Sequence, residues 1–243
     1  MATHKVRAAD KMSHAGILQT LEQVQNTAVL SQRAKQLMTS VSVFQEYTSK
    51  KTMWKAGEPA EFGALILSGL VEIIRPTGTT GDYLVGFFGP GDVIGMSALV
   101  KHRFYPGTSK IVSSRASVLK LHLKPILSLK DVDSLEIKNW VQDQVLNHEQ
   151  ILREKIDILS AGSVEKRVFE LICHLSRRFG IKTHDNEMET PIKLTRSQVG
   201  RIIGARVETV IRLINRWEKH GLLTWSKEGI RITDIKEFKK SVK

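Results

Sequence analysis

LTRSQVGRIIGARVETVIRLINRW, the stretch at residues 194–217, predicts two short helices joined by a turn. The second helix has apolar side chains three and four positions apart, which gives it one packing face: Val210, Leu213, Ile214 and Trp217. Its opposite face carries polar and charged residues with one isoleucine: Glu208, Ile211, Arg212, Asn215 and Arg216. A carboxylate and a guanidinium at helical spacing suit hydrogen bonding to base edges in a DNA major groove. The stretch therefore predicts a helix-turn-helix that reads DNA.

Three side chains of this outer face, Glu208, Ile211 and Arg212, are the candidate base contacts. Arg212 can donate a bidentate pair to guanine O6 and N7, and Glu208 can accept from cytosine N4, each worth about 1–3 kcal/mol of discrimination. A carboxylate facing phosphates costs non-specific affinity, so Glu208 on a basic helix favours base readout. Ile211 lies beside them. The alternative is that Glu208 and Arg212 form only a surface ion pair at i, i+4.

Phosphate contacts are predicted around this face. Thr195 precedes the first helix as an N-cap, and its hydroxyl and the neighbouring Arg196 lie near a helix N-terminus, where anions bind. The full set of candidates is Thr195, Arg196, Arg201, Arg206, Arg216 and Lys227. Any one of these cations taken alone also fits a solvated surface charge.

The charge distribution points to a polyanionic partner. The formal net charge of the 243 residues is +12, and residues 164–243 hold 18 Lys or Arg against 10 Asp or Glu, a surplus of +8. Neutralising phosphates releases condensed counterions, so double-stranded DNA is the expected partner. An anionic membrane surface would fit the same net charge. No apolar run approaches the roughly 20 residues that span a bilayer, so no transmembrane segment is expected.

Several classes of protein are not supported. Cys173 is the only cysteine, so no disulfide forms within the chain, and we expect a cytoplasmic protein. The apolar neighbours of Cys173 favour a buried small residue over a redox switch. No apolar segment follows the basic N-terminus, so no secretory signal is expected. We find no phosphate loop, zinc-ligand spacing or nucleophile–base motif, and we expect no enzyme activity, catalytic residue or metal site.

The chain divides into regions of different character. A glycine-punctuated region between about residues 44 and 123 contains short β-rich runs, which predict a small antiparallel barrel or jelly roll. The runs are Thr52–Trp54, Phe62–Leu67, Leu70–Ile74, Leu84–Phe88, Ile111–Ser113 and Ser117–Leu121. The predicted class is α+β, with a mobile tail at 1–16, a β-roll sensor domain with flanking helices at 17–132, a dimerisation helix at 133–161 and a winged helix-turn-helix domain at 162–243.

The predicted long helix has no proline or glycine between Ser134 and Leu159. Positions that alternate steps of four and three form a heptad-like seam, which could pack against a twin helix in a parallel coiled coil. These positions are Ile137, Val141, Gln144, His148, Ile151, Lys155 and Ile158. Half of this seam is polar. The alternative is a helix that packs on its own barrel.

Beyond the long helix, Ala161-Gly162-Ser163 breaks the run, and Ser163 can cap a helix over Val164–Phe179. A loop or small hairpin follows at Gly180–Thr190. Leu222–Trp225 and Ile230–Thr233 predict a β-hairpin, the wing, and Asp234–Lys240 predicts a short basic helix.

These motifs resemble the Crp/Fnr superfamily of bacterial transcription regulators. The resemblance rests on 194–196, 207–213 and 221–223 in the DNA-binding half, on 57–58, 65–71 and 91–95 in the roll, and on 154–156 at the end of the long helix. It implies a homodimer whose two recognition helices lie about one DNA turn apart on a palindromic site. It also matches Glu208 and Arg212 to base-reading residues, implies a half-site with a TGA core, and implies RNA polymerase as a partner if the protein activates transcription.

The sensor departs from the cyclic-AMP-binding pattern. The family's ribose carboxylate and phosphate guanidinium are replaced in the stretches Gly95-Met96-Ser97 and Pro106-Gly107-Thr108. The positions on the long helix that would meet the base are Leu152 and Arg153, instead of a small hydroxylic pair. Cyclic AMP is therefore not expected. The candidate effector pocket is Met96, Ser97, Gly107, Thr108, Leu152 and Arg153, while Arg103 or Arg115 could serve a different anion.

No cofactor is predicted. One thiol cannot hold an iron–sulfur cluster within a chain. Haem needs one or two axial ligands, for which His102, His122 and His148 are available, but a lone histidine is more often a surface or packed residue. The function we expect is a DNA-binding regulator with an unidentified effector, or a constitutive one. The alternative function is a β-roll signalling module that binds a ligand or protein and holds nucleic acid largely without sequence preference.

Overall fold

The computed structural model describes residues 12–76, 82–184, 186–192 and 194–242. Within these ranges, two compact units are present: residues 12–76 with 87–149, and residues 82–86 with 150–242. Most of the predicted tail at 1–16 lies outside the described residues, and the first helix already begins at His14. Within the described ranges, no helix is long and apolar enough to cross a membrane.

The described residues between 12 and 121 begin with helices and continue as two antiparallel sheets. Helices α1 (His14–Gln23) and α2 (Gln32–Ser40) flank a 3-10 turn at Gln25–Thr27. The strands are β1 (Ser42–Thr48), β2 (Thr52–Trp54), β3 (Gly63–Ser68), β4 (Val71–Arg75), β5 (Tyr83–Phe88), β6 (Val93–Ile94), β7 (Thr108–Ile111) and β8 (Arg115–Leu121). The sheets have the orders β1-β8-β3-β6 and β2-β7-β4-β5. The predicted roll is confirmed.

The turn between β3 and β4 shows why glycine punctuates this region. Gly69 has φ +84°, and a Cβ there would lie 2.4 Å from the carbonyl oxygen of Arg115. Both the left-handed backbone and the close approach therefore require glycine.

Three strands differ from the sequence prediction, and one of them is the two-residue strand β6, to which no run was assigned. No run was assigned to β1, whose pattern of buried and exposed residues does not alternate regularly. Strand β7 ends at Ile111, where the predicted run began. The prediction missed Thr108–Lys110 because these residues follow a Pro-Gly pair, which indicated a turn. The intervening segment holds a π-helical turn at Ala98–His102, and Arg103 follows it with φ +59°.

Helix α3 (Lys124–Leu127) leads into α4 (Val132–Ser160), a 29-residue helix close to the predicted limits. The predicted dimer seam on α4 requires a correction. Four of its positions are buried within their own chain: Ile137 at 0% exposure, Val141 at 2%, Gln144 at 4% and Ile158 at 6%. Ile137 and Val141 belong to the core that also contains Leu21 and Met38.

Polar members of the predicted seam are engaged as well. The Gln144 side chain accepts a hydrogen bond from Asn26 Nδ2 at 2.7 Å. Lys155 donates from Nζ to the carbonyl of Leu84 and lies 5.5 Å from the centroid of the Tyr83 ring. Ile151 is half-buried, and the side chain of His148 lies outside the description. Part of the seam thus packs on its own chain, as the alternative interpretation held.

A neighbouring stripe of α4 is exposed instead. Its apolar members are Leu135 at 56%, Leu152 at 46%, Ile156 at 60% and Leu159 at 40% exposure, and Leu146, at 62%, is exposed outside this stripe. The end of this stripe has the same four-then-three spacing as the end of the predicted seam, shifted by one residue. The stripe has Leu152, Ile156 and Leu159 where the seam has Ile151, Lys155 and Ile158. One residue corresponds to about 100° around a helix, which turns the stripe from its own chain to solvent.

The second unit contains α5 (Val164–Phe179), α6 (Arg196–Ile203), α7 (Val207–Lys219) and α8 (Ile235–Ser241). Ser163 caps α5, as predicted, by accepting from the backbone N–H of Lys166 at 3.2 Å. Four strands form one antiparallel sheet in the order β11-β12-β10-β9. They are β9 (Ile181–His184), β10 (Glu187–Thr190), β11 (Leu223–Trp225) and β12 (Ile230–Ile232). The wing hairpin β11–β12 is therefore extended by β10 and β9, which the sequence left as a separate loop or hairpin.

Candidate nucleic-acid interface

Helix α6 begins with a capping box. The Thr195 hydroxyl accepts from the backbone N–H of Gln198 at 3.1 Å, and Gln198 Oε1 accepts from the backbone N–H of Thr195 at 2.8 Å. The two contacts satisfy backbone donors that a helix leaves unpaired at its start. Thr195 is exposed at this end, where backbone N–H groups favour an anion.

The turn between α6 and α7 depends on Gly204, which has φ +64°. Arg167 of α5 donates from Nη1 to the carbonyl of Ile203 at 2.8 Å, and so satisfies a carbonyl at the end of α6. The buried Nε of Arg167 has no partner among the described residues. Together, the glycine and this contact fix the point at which the chain turns into α7.

Helix α7, the recognition helix, has the two faces that its sequence predicts. Val210 and Ile214 are 0% exposed, Trp217 is 2% exposed and Leu213 is 8% exposed. The Trp217 ring packs edge-on against Phe238 of α8, with centroids 5.1 Å apart. The packing locks the rotation of the helix about its axis, and so determines which side chains face solvent.

The three predicted base contacts lie together on the outer face. Glu208, Ile211 and Arg212 are exposed, with Ile211 at 40%. Among the residues that the structure describes, no ion pair within 4.0 Å joins Glu208 to Arg212. The i, i+4 surface pair is therefore not formed, and both charged groups are available to a ligand.

Arg216 is placed differently. Its Nη2 donates to Oε1 of Glu165 in the first turn of α5, with the two side chains 49% and 29% exposed. Arg216 is eight residues beyond Glu208, which corresponds to about 80° of rotation and about 12 Å along the axis. The predicted phosphate contact is thus paired within its own domain.

Arg196 is also engaged. Its side chain is 23% exposed, its Nη2 lies 3.6 Å from Oε2 of Glu218, and its guanidinium lies 4.6 Å from the centroid of the Trp225 ring. Burial lowers the pKa of Arg196 from its usual value, and Glu218 opposes that shift. The guanidinium nevertheless stays charged, because arginine does not lose its proton in proteins.

The remaining predicted phosphate contacts are exposed. Arg201 lies on α6, Arg206 occupies the N-cap position of α7 without a capping side-chain hydrogen bond, and Lys227 lies in the turn of the wing. Together with Thr195 they lie on the elements that border the outer face of α7.

In the roll, the residues predicted for an effector have mixed environments. Met96 is 1% exposed and belongs to the core. Gly107 is buried, and Thr108 Oγ1 accepts from the backbone N–H of Ala56 at 3.1 Å. Ser97 is half-buried, Leu152 and Arg153 are exposed on α4, and so are Arg103 and Arg115. None of the six predicted pocket residues is a carboxylate.

Other candidate chemistry is limited. The His122 ring lies 5.4 Å from that of Phe62, while the side chains of His102 and His148 lie outside the description. No group of three His, Cys, Asp or Glu side chains that could hold a metal occurs in the described ranges. Cys173 is buried, and burial raises the pKa of its thiol to about 11.

Family comparisons match both halves of the chain. A cyclic nucleotide-binding domain matches residues 44–131, and a Crp-like helix-turn-helix domain matches residues 166–241. The anaerobic regulatory protein of Pasteurella multocida is 25% identical over 185 residues, which cover 76% of this chain and 66% of that protein. The cAMP-activated global transcriptional regulator CRP of Salmonella typhimurium is 25% identical over 179 residues, which cover 74% of this chain and 84% of that protein. The chain belongs to the Crp/Fnr superfamily.

Solved Crp/Fnr structures share the fold. FixK2 from Bradyrhizobium japonicum superposes with a TM-score of 0.68 at 17% identity, covering 82% of this chain and 96% of that one. A CRP-family transcriptional regulator from Thermus thermophilus gives a TM-score of 0.66 at 16% identity, covering 82% of this chain and 96% of that one. Membership of the family, together with the matching C-terminal domain, makes this Crp/Fnr protein a transcription regulator with a helix-turn-helix DNA-binding domain.

Sequence reasoning missed two carboxylates of the DNA-binding domain, Glu165 and Glu218. Each pairs with an arginine that was assigned to phosphate. Glu218 carried a signal, because a carboxylate in the last turn of a helix is disfavoured by the helix dipole unless a cation compensates it. Glu165 carried none, because its partner Arg216 is 51 residues away.

Proposed function

We propose that this Crp/Fnr regulator binds a palindromic DNA site with TGA-type half-sites as a homodimer. The observation that carries the proposal is the exposed pair of side chains Glu208 and Arg212, one turn apart on a helix whose opposite face is buried. Glu208 accepts from a cytosine amine, and Arg212 donates to a guanine of the same half-site. Thr195, Arg201, Arg206 and Lys227 contact the flanking phosphates.

The dimer is proposed to form through the exposed stripe of α4. Leu152, Ile156 and Leu159 occupy alternating positions of a heptad, and Leu135 falls in the same frame. Exposed leucine and isoleucine side chains at this spacing near the C-terminal end of a 29-residue helix suit a parallel pair of helices. The twofold symmetry of such a dimer matches the palindrome of the DNA site.

For the effector, we propose a ligand other than cyclic AMP, or none. A ribose hydroxyl needs a carboxylate and a cyclic phosphate needs a guanidinium, whereas Met96 and Gly107 at these positions have neither. Met96 moreover fills core space, since a Cβ on Gly63 would lie 2.3 Å from its Cε. The buried Oγ of Ser109 has no partner among the described residues.

Selection of binding sites from a randomised duplex library tests the DNA-binding proposal. We expect enrichment of inverted TGA half-sites about 10 base pairs apart, centre to centre. Binding of the selected duplex should exceed that of random DNA by a factor of about 10³ or more. Equal affinity for both at every salt concentration would instead establish the alternative, a signalling module with non-specific nucleic-acid binding.

Two further measurements address the effector and the output. Native mass spectrometry with an absorbance spectrum of freshly purified protein tests for a carried ligand, and bound cyclic AMP would contradict the proposal. Transcription in vitro with RNA polymerase from a promoter that carries the selected site then distinguishes an activator from a repressor.

A further inference from the structure

Glu218 occupies an unfavourable position that the fold compensates. It lies in the last turn of α7, where the partial negative charge of the helix end disfavours a carboxylate. It is also an acidic residue in a DNA-binding domain with a surplus of +8 charges, so it weakens the attraction to DNA. Its side chain is 32% exposed and makes contacts to two other elements.

The contacts of Glu218 connect the recognition helix to the wing and to α6. Oε1 accepts from the backbone N–H of Trp225 in β11 at 2.9 Å, and Oε2 lies 3.6 Å from Nη2 of Arg196. Arg196 in turn covers the Trp225 ring, whose Nε1 donates to the carbonyl of Leu194 at 2.9 Å. One carboxylate therefore joins the end of α7, the start of α6 and the first strand of the wing.

These three elements carry the proposed phosphate contacts. The start of α6 presents Thr195, and the turn that follows Trp225 presents Lys227. That turn is closed by the hydrogen bond from the backbone N–H of Ser226 to the carbonyl of Gly229, at 2.9 Å. The distance between the two phosphate contacts, and the place of each relative to Arg212, thus depends on the joint at Glu218.

We propose that Glu218 is a positioning residue for DNA binding, which holds the start of α6 and the wing in register with the recognition helix. The inference rests on the proposed DNA-binding function and adds a residue that acts through Arg196 and Trp225. The direction in which a substitution of Glu218 changes the affinity for DNA tests the inference. Loss of an acidic charge by itself strengthens DNA binding, whereas loss of the joint weakens it because the phosphate contacts are no longer pre-organised.

Three substitutions in the full-length chain separate charge from geometry. Glu218→Gln removes the charge and keeps an oxygen that accepts from the Trp225 N–H. Glu218→Asp keeps the charge and shortens the side chain by one methylene, so it does not reach both partners. Glu218→Ala removes both features. Glu237→Ala is the matched control, since Glu237 is an exposed carboxylate in the same domain that pairs locally, with Lys240 at 2.7 Å.

The measurement is the affinity for the selected duplex and for random DNA over a series of salt concentrations, with thermal unfolding of each variant. We expect Glu218→Asp and Glu218→Ala to bind the selected duplex about three- to tenfold more weakly, a loss the size of one hydrogen bond. Glu218→Gln should stay closer to the wild type, and Glu237→Ala should bind equally or more tightly.

The opposite ranking of affinities overturns the proposal. If Glu218→Ala and Glu218→Gln bind DNA more tightly than the wild type and Glu218→Asp binds equally, Glu218 has only an electrostatic effect. Because Glu218→Asp conserves the charge, it decides the case even if Glu218→Ala fails to fold. Wild-type protein that does not distinguish the selected duplex from random DNA contradicts the proposed function instead, so the two failures are separable.

Discussion

Arg216, near the end of the recognition helix, is paired with Glu165 in the first turn of α5. Each charge complements the dipole of the helix end on which it lies, because Glu165 is at an N-terminus and Arg216 near a C-terminus. The pair is partly exposed, and such pairs contribute about 0.2–1 kcal/mol. It fastens α7 to the helix that directly follows the Ala161-Gly162-Ser163 break.

This pairing predicts a small role for Arg216 in phosphate binding. Arg216→Ala should reduce the slope of log K against log salt by clearly less than the value of about 0.9 for one full phosphate contact. Arg201→Ala and Arg206→Ala, in which an exposed guanidinium is removed, are the matched controls. A full-unit loss of slope in Arg216→Ala would show that DNA displaces Glu165, as the sequence prediction implied.

Arg212 should carry base discrimination. Arg212→Ala is expected to lose about 1–3 kcal/mol on the selected duplex and little on random DNA, because a bidentate contact to guanine is made only at the correct base pair. Titrations of both duplexes at one salt concentration measure this difference. Equal losses on the two would reassign Arg212 to phosphate binding.

The exposed stripe of α4 predicts where the dimer is disrupted. Ile156→Asp should convert a dimer into monomers of 27.4 kDa, because it places a charge between Leu152 and Leu159 in the proposed interface. Light scattering after gel filtration gives the mass. Ile181→Asp is the control, since Ile181 on β9 is 62% exposed against 60% for Ile156. A variant at Ile156 that remains dimeric excludes this stripe as the interface.

The Cys173 thiol should be unreactive in the folded protein. Burial raises its pKa from 9.0 to about 11, which lowers the thiolate fraction by about a hundredfold at pH 8. Alkylation by iodoacetamide should therefore proceed about a hundredfold or more slowly in native protein than in denaturant. Comparable rates in the two states would reopen a redox role for this residue.

His174 should make the DNA-binding domain less stable in acid. Burial lowers the pKa of His174 below 6.5, aided by Arg177 and Arg178, while Glu154 at 3.3 Å opposes the shift. Asp157 and Glu170 line the same cleft. Because the folded pKa lies below the unfolded one, the unfolded chain binds more protons as the pH falls through 6.5.

Stability should consequently decrease as the pH falls below about 6.5. His174→Gln should flatten this part of the pH dependence, measured as the free energy of unfolding in urea between about pH 7 and pH 5. His184→Gln is a control, since the side chain of His184 is 81% exposed. An unchanged pH profile in His174→Gln would show that other groups cause the acid sensitivity.

The sequence by itself determined the local elements of this protein. Apolar residues three and four apart decide which face of α7 is buried, because that periodicity is a property of consecutive residues. Glycine-rich turns likewise marked the roll, and Ser163 and Thr195 marked helix starts. Glu208 and Arg212 were found in this way, since their exposure follows from the burial of Val210, Ile214 and Trp217 on the same helix.

Only the tertiary structure decided which charges and which apolar stripes remain free. Two stripes of α4 have the same heptad spacing one residue apart, and the core around Ile137 and Val141 selects which of them is buried. In the sequence, Arg196 and Arg216 could not be distinguished from the exposed arginines Arg201 and Arg206. In the fold, Glu218 pairs with Arg196 and Glu165 pairs with Arg216. The physical reason is distance along the chain, since a partner 51 residues away leaves no local pattern around Arg216.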